Sequence, residues 1–90
     1  MVRRRFLSDL DALDHGKDPK AIVRDAETNK RIDLPVAERR RLAEGRTRAD
    51  YLKDPFARRA LQDYVFQAGQ PPEVRNALLA ALGINATQLT

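Results

Sequence analysis

Ser8 and His15 are the single serine and the single histidine of the chain, and the first chemistry they suggest is a nucleophile with its base. Seven residues apart on one helix, they would stand roughly 10 Å from each other, outside hydrogen-bond reach. Two surface residues on one helix is therefore the expected arrangement. Asp11, Asp14, His15 and Asp18 follow the spacing i, i+3, i+4 and i+7, which could converge oxygen and nitrogen ligands on one helical face. Gly16 and Pro19 interrupt the helix where the fourth ligand would be needed. The alternating acids and sixth-position glycine of a calcium loop are also missing. A solvated acidic helix end is expected instead. The chain has no cysteine, which removes disulfides, thiol nucleophiles, thiolate zinc sites and cysteine-held iron–sulfur clusters. Gly16, Gly45, Gly69 and Gly83 stand singly at expected helix ends, so no phosphate-cradling loop is present. No catalytic, metal-ligating or cofactor-binding residue is assigned.

The remaining electrostatic feature is Arg39, Arg40 and Arg41, with Arg46, Arg48, Arg58 and Arg59 close behind. Residues 31–59 hold nine basic and five acidic side chains. Three consecutive arginines spread over about 200° of a helix and cannot all face one groove. Glu38 and Glu44 dilute them, and Arg41 sits four positions before Gly45, where a helix-turn-helix needs a small residue. A solvated or partner-facing basic surface is favoured over nucleic-acid binding through Arg39, Arg40, Arg41, Arg46 and Arg48.

The net charge of +4 is modest for 90 residues and argues for no particular polyanion. Leu, Ile, Val and Phe make up 22 of the 90 residues, enough for a folded state but a small core for a chain without staples. No stretch approaches the ~20 apolar residues of a membrane span; the longest candidate is Ala77–Ile84. The basic start Arg3–Arg5 is followed at once by Asp9 and Asp11, which leaves no apolar core for an export signal. The cytoplasm is the expected compartment, and no membrane partner is expected.

The elements that must carry these residues read as mainly α, with four to five helices. Residues 2–15 place Phe6, Leu10 and Leu13 on one helical face. Its start lacks a capping residue, and Arg3–Arg5 oppose the dipole, so the helix looks as though it begins upstream. Residues 19–34 lose the helical period. Ile22–Val23 and Ile32–Leu34 flank the turn-prone Glu27-Thr28-Asn29, which predicts a two-stranded ribbon or an extended arm. Helices follow over 35–44, 47–53, 55–68 and 72–82, marked by Pro35, a Thr47/Asp50 capping box, Asp54-Pro55 and Gly83. The stripe Phe56, Ala60, Leu61, Tyr64, Val65 and Ala68 is the strongest in the chain, and 55–68 and 72–82 are predicted to pair as an antiparallel hairpin. Phe66 lies off that stripe. The expected division is a helix plus docking arm over 1–34, a helical region over 35–84 and a frayed tail over 85–90.

The order of residues resembles a known family. RRRFLSDLDAL (Arg3–Leu13), GKDPKAIVRD (Gly16–Asp25), Asn29, IDLP (Ile32–Pro35) and YVFQAGQPPEVR (Tyr64–Arg75) resemble the C-terminal region of the large subunits of Rieske-type aromatic ring-hydroxylating oxygenases, in the branch of the aryl-ether O-demethylases. The resemblance spans roughly residues 2–84. It implies a parent enzyme with a cysteine- and histidine-bound [2Fe–2S] cluster and a mononuclear iron held by two histidines and a carboxylate. With no cysteine and only His15, neither site transfers to this chain, and no cofactor is expected in it. The leading expectation is a non-catalytic packing or assembly segment, either the tail of such a subunit or a free-standing relative of it. Phe6, Leu10, Leu13, Ile22, Ile32, Leu34 and Phe66 would meet a parent domain or another subunit. An autonomous helical binding module, self-associating through the same apolar face, is the alternative; a weak nucleic-acid binder is the third.

Overall fold

The computed structural model describes residues 8–90, which form six α-helices and one 3₁₀ turn; no strand occurs among the described residues. The mainly helical class is as expected. Phe6 lies outside the described residues.

Helix α1 runs Asp9–Asp14, within the expected span 2–15. Ser8 is extended and its Oγ accepts the Asp11 amide, so it caps the helix. That places Asp9 and Asp11 in the first turn, where the dipole favours them. The uncapped start expected at residue 2, with Arg3–Arg5 opposing the dipole, lies outside the described residues.

The largest departure is α2, Pro19–Lys30, where a ribbon or arm was expected. Asp18 accepts the Lys20 amide and Pro19 takes the first helical position. The same cap-plus-proline signal opens the helix at Asp54-Pro55. The β-branched pair Ile22–Val23 is buried in the core, and that burial outweighs a small loss in helix propensity. The turn-prone Glu27-Thr28-Asn29 is the last turn of the helix, with Thr28 Oγ1 donating back to the Arg24 carbonyl.

Helices α3 (Val36–Glu44), α4 (Arg48–Lys53), α5 (Pro55–Val65) and α6 (Pro72–Leu82) follow. The Thr47/Asp50 capping box forms at the start of α4. Asp54 Oδ1 caps α5 by accepting the Phe56 and Ala57 amides. Helix α5 stops at Val65, three residues before its expected end, and Ala68 is exposed. Gly83 closes α6 in the left-handed region at φ 69°, a conformation that disfavours a side chain.

Helix α2 packs on α3, α5 and α6, and it touches α5 and α6 more extensively than those two touch each other. The expected α5/α6 hairpin is thus a minor contact. Within the expected arm, Pro19–Lys30 is the central helix of one core. That core holds Ile22, Val23, Tyr51, Ala57, Leu61, Val65, Val74, Leu78, Leu79, Ile84 and Leu89, with Leu10, Leu13 and Tyr64 packed at its edge. The C-terminal residues are not frayed. Ala86–Gln88 make a 3₁₀ turn, Leu89 is 1% exposed, and Gln62 Nε2 donates to the Leu89 carbonyl.

Candidate functional site

Where α2, α4 and the start of α5 converge, the chain buries an ionic group. Glu27, four residues beyond Val23 on the inward face of α2, is 1% exposed. Arg46, in the link between α3 and α4, donates from Nε to both Glu27 oxygens, at 2.9 and 3.2 Å. Its Nη1 donates to Asp54 Oδ2 at 2.9 Å. Asp54 therefore divides its carboxylate, one oxygen for the helix cap and one for the guanidinium. Burial pushes the Glu27 carboxyl above its ordinary value, against the pull of Arg46. Burial also works against the charge of Arg46, but Glu27 and Asp54 outweigh it and hold the guanidinium protonated. Desolvation raises Asp54, yet the cap amides of Ala57 and Phe56, with Arg46, bring it below the usual carboxylate range. In Asp50 the Thr47 amide and hydroxyl do the same.

Beside this network lies Tyr51 of α4, 1% exposed. Burial, and then Glu27, push its hydroxyl well above the ordinary phenol value. The residue lines a recess of about 130 Å³ together with Lys20, Arg24, Glu44, Arg46 and Arg48. None of Lys20, Arg24 and Arg48 is in an ion pair among the described residues.

The residues singled out from sequence are scattered. Ile22 is buried in the chain's own core, so it is withdrawn from the interface set. Leu10 and Leu13 are partly covered by that same core. Leu34 is half-buried, with its carbonyl accepting Arg39 Nε at 2.6 Å. Ile32 and Phe66 remain exposed, at 81% and 40%, and Val36, which the periodicity did not flag, joins them. The arginines of 39–48 do not act as one footprint. Arg41 pairs with Glu38 across one helical turn, and Arg46 is consumed internally.

Ser8 and His15 are likewise separate. Ser8 is a cap, and His15 is exposed with Nδ1 on the Asp11 carbonyl at 2.7 Å. No group of three or more potential metal ligands is found among the described residues. The donor set does not fit an iron–sulfur cluster or a two-histidine iron centre, since cysteine is absent and His15 stands alone. Among the described residues no helix is long and apolar enough to cross a membrane.

Glu27, Tyr51, Lys20 and Arg24 were not identified from sequence. The available signal was the Asp18-Pro19 cap, because a helix begun there puts Glu27 on the same face as Val23.

No family model matches the chain, and no solved structure matches it. Among curated proteins, the chain is 43% identical over 74 residues to the 5,5'-dehydrodivanillate O-demethylase oxygenase subunit of Sphingobium sp., a match covering 82% of this chain and 17% of that protein. The chain thus spans about a sixth of the length of the curated relative it matches. By that identity it is related to part of an oxygenase subunit.

Proposed function

We propose that the chain is a non-catalytic packing and assembly segment of a Rieske-type oxygenase large subunit, corresponding to the C-terminal region in the aryl-ether O-demethylase branch. The observation that carries this reading is the 43% identity to an oxygenase subunit of which the chain matches only 17%. It is supported by the absence of cysteine and by the solitary histidine. In this reading iron, oxygen and the aromatic substrate are handled elsewhere in the subunit. The chain contributes shape and a docking surface, through the exposed Ile32, Val36 and Phe66 rather than through Ile22.

A second reading, an autonomous helical binding module, is favoured by the way Leu10, Leu13 and Leu89 pack on the chain's own core. One experiment separates the two. The relative's oxygenase subunit, shortened by the segment that this chain matches, is mixed with the chain and followed by size-exclusion chromatography with light scattering. Co-elution as a defined complex, weakened by Ile32→Glu or Phe66→Glu, is expected for a packing segment. Separate elution of the two polypeptides would overturn it in favour of the independent module.

A further inference from the structure

The recess over Tyr51 is too small for a drug-sized ligand, which needs about 300 Å³ or more, and it is far too small for a docked helix. It has room for one compact polar group. Its walls carry Lys20, Arg24 and Arg48, none of them ion-paired among the described residues, against the single carboxylate of Glu44. The charge of Arg46 is already matched by Glu27 and Asp54. Tyr51, 1% exposed, completes the lining. Burial, and then Glu27, keep the Tyr51 hydroxyl protonated, so it can offer a donor to a group held in the recess.

We propose that this recess is an oxyanion site, in which Lys20, Arg24 and Arg48 surround one carboxylate or phosphate group and the Tyr51 hydroxyl donates to it. The site stands on the chain's own geometry and does not rest on the assembly reading. Either can fail without the other. The three cations of the lining can give the charge-assisted hydrogen bonds that such a group needs.

The test is a titration of the ¹⁵N-labelled chain with inorganic phosphate, and separately with acetate, against sodium chloride at matched ionic strength. Saturable shifts at the amides of Lys20, Arg24, Arg48 and Tyr51 are expected with at least one of the two oxyanions. The tighter of the two identifies a phosphate or a carboxylate as the group taken. Arg24→Gln should weaken that binding about tenfold, the loss of one charge-assisted hydrogen bond. Tyr51→Phe should weaken it by a similar factor while leaving the spectrum of α5 and α6 unchanged. If phosphate and acetate shift these amides no more than chloride does, or if Arg24→Gln binds as tightly as the parent chain, the proposal is overturned. Because Arg24 is only half-buried, that variant keeps the test decisive even where Tyr51→Phe perturbs the core.

Discussion

Arg46 shows how one side chain can change meaning between a sequence and a structure. As one of seven arginines in a basic stretch it reads as surface charge. In the fold its side chain is 12% exposed and bridges two carboxylates. Removing one partner of a buried pair leaves the other charge uncompensated, which costs about 3–5 kcal/mol. Arg46→Met should therefore lower the urea unfolding free energy by about 3 kcal/mol. The double change Glu27→Leu/Arg46→Met should recover most of that loss, because no charge is then stranded. A loss in the double variant equal to the sum of the two single losses would mean the pair is not coupled. The same neighbourhood sets an acid limit. Asp50 and Asp54 are held below ordinary values, so the unfolded chain binds more protons than the folded one as pH drops under about 4. Their stabilisation is present above that value and is lost as pH falls through their folded values. Glu27 works in the opposite sense: its contribution is present below the unfolded glutamate value of about 4.3 and fades as pH rises through its elevated folded value. Asp54→Asn should flatten stability between about pH 2 and 4, measured by urea unfolding across that range. Neither Glu27 nor Tyr51 could be read as site residues from sequence, because an acid or a phenol becomes special only through what tertiary packing places over it.

At the scale of elements, local chemistry was legible and packing was not. Thr47 with Asp50, and Asp54 with Pro55, mark helix starts because a cap is a contract between residues two or three apart. The structure keeps both. Asp18-Pro19 carries the same information, but the β-branched Ile22–Val23 and the turn-prone Asn29 pointed to an extended segment. What tips 19–30 into a helix is the burial of Ile22 and Val23 against α5 and α6, partners more than thirty residues away. Ser8 is hidden as a cap in the sequence because the apolar period begins before it, at Phe6. Asp18→Ala should lower stability by about 1 kcal/mol through loss of the cap on α2, read by urea unfolding with far-ultraviolet circular dichroism. A change within ±0.5 kcal/mol, as for a plain surface position, would show that the cap contributes nothing.

For the molecule as a whole, the mainly helical class was readable from composition and caps, whereas the single core was not. Division at residue 34 separates α2 from the three helices it packs against. The C-terminal residues tell the same story: Leu89 looks like the end of a loose polar tail, yet it is buried to 1% exposure beside Ile84. Leu89→Ala should cost about 2–4 kcal/mol, the range for a buried leucine truncated in place. A frayed terminus would give almost no change. Because α2 is the hub through which α3, α5 and α6 hold together, its opening should require the whole chain to come apart. Its backbone protons should then be among the last to trade with deuterated solvent, at a rate matching global unfolding, while those of α1 and of the loop after Val65 trade early.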